Sequence, residues 1–193
     1  LELTLLEPAD APRVADYVRR NHDHLAPWEP PRPVGFEDPA FWEAQLELNR
    51  AEMEAGTALR LFLVGRGAGR RAPVLGSCNF FNVVRGAFQA CHLGYSLDEG
   101  QQGRGLMTEA CRAGLDFVFD AWNLHRVMAN YRPTNEPSGR LLRRLGFVVE
   151  GYARDYLFID GAWRDHILTS LTNPRHDPVR LESVTPLATP RRR

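Results

Sequence analysis

The stretch HLGYSLDEGQQGRGLMTEACRAGLDFVFDAW, residues 92–122, concentrates the residue types that hold phosphate. An apolar, strand-like run ends at Leu97, glycines follow at Gly100, Gly103 and Gly105, and a helical pattern starts at once behind them. Backbone N–H groups at a helix start carry partial positive charge and point outward, which makes an anion site without a metal. Glycine lets that backbone approach a ligand closely, and Arg104 can add a charge-assisted contact. Two other phosphate loops fail on spacing. A Walker loop needs a lysine that GQQGRGLMT lacks. A dinucleotide fingerprint needs a third glycine, whereas Gly103-Arg104-Gly105 is followed by Leu106, Met107 and Thr108. The flanking strands are also expected to be antiparallel, and a Rossmann unit needs parallel ones. The same glycines would equally serve as a tight strand-to-helix connection.

The rest of the chain supplies a scaffold for such a loop. LELTLLEP alternates as a first strand, and Asp10 can cap a helix running to about Arg20. NHDHLAPWEPPRPVGFEDP has no period and reads as a long loop, a kind more often functional than idle. AFWEAQLELNRAEMEAG is a helix closed by Gly56. ALRLFLVG and PVLGSCNFFNVV read as antiparallel strands joined by the turn RGAGRRA. The strand before the glycine loop spans about 89–97, and its helix is expected to bury Leu106, Ala110, Gly114, Phe117 and Ala121. HRVMANYRP is a strand, NEPSGRLLRRLGF a helix ended by Gly146, and the last strands turn at Asp160-Gly161. The reading is one α+β domain over residues 1–173, followed by a loose basic tail over 174–193.

Bulk properties bound the function. The chain has 193 residues and a formal net charge of +0 from 24 basic and 24 acidic side chains, so direct DNA binding is not expected. Cys78, Cys91 and Cys111 sit in apolar contexts without a CxxC pair, which points to buried free thiols in a reducing cytoplasm. No long apolar run or signal-like segment is read, so a cytoplasmic protein with no membrane contact is expected.

LGYSLDEGQQGRGLMTEA, with HRVMANYRPTNEPSGRLLRRLGFVVEGYARDYLFIDGAWRDHILTSL, resembles the GCN5-related N-acetyltransferase (GNAT) superfamily. The likeness is to its RimJ/RimL branch, which acetylates protein N-termini, and it covers about residues 1–174. Its pyrophosphate loop, [QR]-x-x-G-x-[GA], fits Gln102 to Met107 apart from the methionine at the last position. The resemblance implies a mixed, mostly antiparallel sheet splayed beside the strand at 89–97, with acetyl-CoA in the opening and no metal. Backbone groups of Leu93, Gly94, Tyr95 and Ser96 would pair with the pantetheine arm, and Asn135 would hold it. Ser138 would stand near the thioester sulfur as a candidate acid, and His24, Trp28 and Glu29 would line the acceptor channel.

In such enzymes the amine attacks the thioester directly, so positioning and a neutral amine carry the reaction. His92 is the first candidate base, through water; it can equally be a bonded strand histidine. Asp155 is the second, with a surface ion pair to Arg154 or Arg164 as its plainer reading. Tyr156 could replace Ser138 as acid, or be core, while Ser138 could be a helix cap. His22, Asp23 and His24 are too sparse a set to argue for a metal. The three arginines of RLLRRLGF make either a solvated face or a contact to the 3'-phosphate of CoA or to RNA. Trp28, Trp42, Trp122 and Trp163 are expected in the core or channel walls. The implied activity is acetyl transfer to the N-terminal alanine of a ribosomal protein, by a monomer or homodimer. The alternatives are a small-molecule amine acetyltransferase, for an antibiotic or polyamine, and a non-catalytic, ribosome-associated CoA-binding module.

Overall fold

Strand-forming runs rich in valine, leucine and phenylalanine become a seven-stranded sheet in the computed structural model, which describes residues 1–65 and 72–179. The expected RGAGRRA turn and the terminal arginines lie almost wholly outside the described residues. In chain order the elements are β1 (Glu2–Thr4), α1 (Ala11–Arg20), α2 (His22–Leu25), α3 (Pro39–Glu54), β2 (Leu59–Val64) and β3 (Val74–Val84). They continue with β4 (Ala90–Leu97), α4 (Leu106–Asp120), β5 (Arg126–Tyr131), α5 (Glu136–Leu145), β6 (Val148–Ile159) and β7 (Ala162–Thr172). The expected α+β fold is therefore present. Pro39 opens α3 and Gly56, at φ +66°, closes it. Asp160 and Gly161 both have positive φ, as a two-residue hairpin between β6 and β7 requires.

The strand order is β1-β2-β3-β4-β5-β7-β6. All neighbours are antiparallel except β4 and β5, which pair in parallel over Ala90–His92 and Arg126–Met128. This corrects the antiparallel reading of the flanking strands: α4 is a crossover between parallel neighbours. Beyond His92 and Met128 the two strands part. β4 stays with β3 to Leu97, while β5 stays with β7 to Tyr131. The sheet opens there as a V.

Each face of the sheet carries its own core. Val14, Val18, Trp42 and Leu46 from α1 and α3 pack on Phe62, Val64 and Val74. Cys78, Phe80, Cys91 and Leu93 meet α4 and α5 on the other face. The buried face of α4 is Met107, Ala110, Cys111, Gly114, Leu115 and Val118, whereas Phe117 and Ala121 are exposed. The expected face was thus rotated, because α4 packs on β3 through Gly114. A Cβ there would lie 2.4 Å from Phe80 Cε2, in a ring with no exposed surface.

Three further expectations change. Asp10 caps no side-chain bond of α1; it accepts from the Glu7 backbone and from Arg13 at 2.7 Å, tightening the 3-10 turn at Pro8–Asp10. The aperiodic loop after α1 contains helical turns at His22–Leu25 and Ala26–Trp28, too short to leave a period in sequence. Within the segment read as a tail, Arg175 bonds Asp120 at 2.9 Å and Asp116 at 3.1 Å. The three cysteines are buried and free. Trp42 is core, but Trp163 is exposed on the hairpin.

One polar node fixes where the glycine loop leaves the sheet. Asp98 Oδ1 accepts from Gly100 N at 3.0 Å, and Oδ2 accepts from Asn21 Nδ2 at 3.2 Å and from Arg20. Asn21 Oδ1 in turn accepts from Glu99 N at 3.0 Å, so the end of α1 holds both sides of the turn. Burial alone would raise the Asp98 pKa, but the hydrogen bonds from Asn21 and Arg20 outweigh it and hold the carboxyl below its usual range.

Two measurements check this framework. Gly114→Ala should destabilise the fold by about 1–3 kcal/mol in urea unfolding, because its methyl overpacks Phe80. The depressed Asp98 pKa contributes stability fully above the ordinary carboxylate value of about 4 and loses it as pH falls through the lower folded value. Unfolding followed from about pH 7 to about pH 2.5 should therefore show a smaller acid loss in Asp98→Asn than in the wild type.

Candidate active site

A cleft of about 620 Å³ opens between the second half of β4 and the N-terminus of α5, with the glycine loop at one end. Its lining includes Tyr95, Ser96 and Leu97 from β4, Gln102, Gly103, Gly105, Leu106 and Met107 from the loop, and Asn135 and Ser138 from α5. His24 and Trp28 close the side opposite. The cleft thus brings together residues that the sequence assigns separately to an anion loop, a pantetheine wall and an acceptor loop.

Gly103 and Gly105 have φ of +73° and +76°, and a Cβ built on either would meet nothing within 4 Å. Glycine is needed here for conformation and leaves open space above the loop. Gly105 ends this turn as the cap residue of α4, so the first N–H groups of the helix face the cleft. Met107 is buried in the α4 core, so its side chain does not crowd the loop. Arg104 reaches back to Gln101 Oε1 at 2.5 Å. Gln102 Nε2 lies 3.0 Å from His24 Nε2 and joins the loop to the opposite wall.

Asn135 and Ser138 divide the work at the start of α5. Asn135 Oδ1 accepts from Ser138 N at 3.2 Å and caps the helix, which corrects the reading of Ser138 as the cap. The Asn135 amide nitrogen is left as a donor. Ser138 Oγ instead lies 2.7 Å from Tyr95 OH. Gly139 makes this approach possible: a Cβ there would lie 2.7 Å from the Tyr131 ring. Arg140 and Arg144 also line the cleft, and Arg144 donates to Thr108 Oγ1 at 3.1 Å.

On β4 the side chains alternate. Cys91, Leu93 and Tyr95 pack with α4, whereas His92, Gly94 and Ser96 face Phe81 and α1. His92 stands at the apex of the V, opposite Met128, with its ring stacked on Phe81 at 5.9 Å. Its Nδ1 is buried and has no hydrogen-bond partner among the described residues. Burial lowers its pKa, so the imidazole is neutral at pH 7.

The other sequence candidates lie off the cleft. Asp155 is exposed in a bulge of β6 with φ +47°, and its N–H donates to Asp165 Oδ1 at 2.9 Å. Arg164 pairs with Asp160 at 3.1 Å, so the expected Arg164 ion pair to Asp155 is not formed. Tyr156 is partly exposed and its OH accepts from Asn130 Nδ2 at 3.3 Å, across from β6 to β5. Glu29 pairs with Arg32 at 3.1 Å. His22 meets Glu37 at 2.6 Å, away from His24.

Several contacts had no local signal in the sequence. Tyr17, buried on α1, places its OH 2.9 Å from Ser96 Oγ. Arg132 donates to the carbonyl of Pro27 and covers the Trp28 ring at 5.4 Å, which ties the Ala26–Trp28 turn to the end of β5. Only Asp98 carries a local signal that a reading of the sequence could use, since aspartate two residues before glycine is an Asx-turn pattern.

An anion loop, a donor amide and a hydroxyl at a helix start, around one elongated cleft, suit an extended phosphorylated thioester. The comparisons agree. A family profile described as "Acetyltransferase (GNAT) domain" matches residues 1–148. The chain is 46% identical over 180 residues to the [ribosomal protein uS5]-alanine N-acetyltransferase of Escherichia coli, covering 93% of this chain and 91% of that one. The crystal structure of the ribosomal-protein-S5-alanine acetyltransferase of Vibrio fischeri superposes with TM-score 0.87 at 41% identity, over 91% of this chain and 94% of that one. Mycobacterium smegmatis RimJ, in complex with CoA-disulfide, superposes with TM-score 0.79 at 32% identity, over 88% and 80% of the two chains. The chain belongs to the GNAT acetyltransferase family.

Proposed function

We propose that this acetyltransferase moves the acetyl group of acetyl-CoA to the α-amine of a protein N-terminus, with a ribosomal protein beginning in alanine as the acceptor. The near-full-length likeness to relatives named for that alanine carries the acceptor assignment. The cleft supports the donor assignment. The N–H groups of residues 102–107 take the pyrophosphate, and Arg140 and Arg144 face the 3'-phosphate. The backbone of β4 from Leu93 to Ser96 pairs with the pantetheine amides, and the Asn135 amide donates to the same arm.

With the donor so placed, the thioester reaches the apex of the V and its sulfur stands by Ser138. The acceptor amine enters past His24 and Trp28 on the other wall. Its nitrogen attacks the thioester carbonyl, the C–N bond forms as the C–S bond breaks, and the electron pair leaves on sulfur. That charge develops at the N-terminus of α5, whose dipole favours it. His92, uncharged and facing the acceptor side, accepts the amine proton through water. Burial in an apolar setting, with a free Nδ1, supports this role over that of Asp155, which is solvent-exposed on the β6 bulge.

Mass spectrometry after incubation with acetyl-CoA and two equally long peptides tests the acceptor. The expected product is acetylation of a peptide with a free N-terminal alanine, and none of a blocked peptide with one internal lysine. Lysine modification, or transfer only to small amines such as polyamines, would refute the proposal. The base is tested separately. His92→Ala should lower kcat by roughly 10²-fold while CoA affinity stays unchanged. It should also remove the acid limb that His92 places below the ordinary histidine value of about 6.5. Wild-type rates in both His92→Ala and Asp155→Ala across this range would assign deprotonation to solvent.

A further inference from the structure

The hydroxyl of the partly buried Tyr95 lines the cleft, and its hydrogen-bond partner among the described residues is the Ser138 side chain. It lies 2.7 Å from Ser138 Oγ. Tyr95 rises from the β4 face that packs on α4, and its ring is fixed in that core. Ser138 N is already bound by Asn135 Oδ1, so the backbone of this residue is held independently of its side chain. Only the direction of the serine hydroxyl remains to be set. If Ser138 donated to Tyr95, its proton would be turned to the sheet. If Tyr95 donates, the serine proton is free for the cleft.

We propose that Tyr95 is a positioning residue for acetyl transfer: its phenol donates to Ser138 Oγ and so aims the Ser138 proton at the departing sulfur. This rests on the proposed placement of the thioester sulfur beside Ser138. Burial raises the Tyr95 pKa well above that of a free tyrosine, so the phenol remains a donor throughout the working pH range. An alkyl thiol has a pKa of about 8.5. Neither hydroxyl gives its proton away to a base so weak. The pair acts instead as a polarised chain: Tyr95 O–H donates to Ser138, Ser138 O–H donates to the forming thiolate, and both protons stay on oxygen. The amine proton leaves towards His92, and the thiolate is protonated by water once the amide has formed. Atoms and charge balance without a tyrosinate. A hydrogen bond already donated to a hydroxyl strengthens the one it donates onward.

The test needs no acceptor. Thiolate absorbance of CoA bound to the protein, minus that of the free protein, is followed against pH. The bound thiol should titrate below free CoA in the wild type and about one unit higher in Tyr95→Phe. Ser138→Ala should raise it at least as far, and the double variant should equal Ser138→Ala. In turnover, with whatever amine the wild type acetylates, Tyr95→Phe should lose about tenfold in kcat with KM for acetyl-CoA within about twofold. Phenylalanine keeps the ring, so thermal unfolding should be nearly unchanged. A wild-type thiol pKa in Tyr95→Phe overturns the proposal, as does a shift that adds to that of Ser138→Ala. Failure of the alanine peptide would strike the acceptor assignment and leave the thiol titration as it stands.

Discussion

The site depends on one interrupted ladder. β4 and β5 pair for three positions and then separate after His92 and Met128. From there, half of the backbone polar groups of Leu93–Leu97 have β3 on one side and no strand on the other. Backbone donors and acceptors in that position need a partner, and an extended ligand carrying amides supplies them in register. The gap is held open by packing. Tyr95 and Tyr131 project from the two arms of the V, and α5 seats its N-terminus over them because residue 139 is glycine. The opening of the sheet and the position of Ser138 are therefore the same structural fact.

Electrostatics follow from that opening. The chain as a whole carries no net formal charge. Yet the N-termini of α4 and α5 both face the cleft, Arg140 and Arg144 line it, and the described lining includes no carboxylate. Local field is set by such fixed dipoles and charges, independently of the total. Asp98, at the end of β4, is bound by Arg20 and Asn21, and Glu136 pairs with Arg140 at 2.9 Å. Phosphates suit the α4 end of this field, and a developing thiolate suits the α5 end.

The sequence showed the parts whose signals are local. The α3 helix, the Asp160-Gly161 hairpin and the strand–glycine–helix unit all follow from period and turn chemistry, and each stands where that reading put it. Parallel pairing of β4 with β5 was not legible, because direction depends on a partner far along the chain. The rotation of the α4 face was not legible either, since Gly114 looks like any small residue until Phe80 packs on it. Within the site, the loop from Gln102 to Met107 was visible as a motif, and Asn135 and Ser138 as a resemblance. The contacts that orient them were hidden: Tyr95 to Ser138, Tyr17 to Ser96 and Arg132 to Pro27 each join residues more than forty positions apart.

The acceptor's own acidity decides how strong a base this arrangement needs. An N-terminal amine has a pKa of about 7.7–8.0, so deprotonating it near neutral pH costs under about 1.5 kcal/mol. A lysine, at about 10.4, costs roughly 4–5 kcal/mol at the same pH. His92 suits the first demand and not the second. Burial keeps it neutral and able to accept a proton, but also makes it a weaker base than free imidazole. On the proposed chemistry, selection of α-amines over side-chain amines then needs no contact that recognises the amine. Contacts at the His24 and Trp28 wall remain available to read the acceptor's side chains next to that amine.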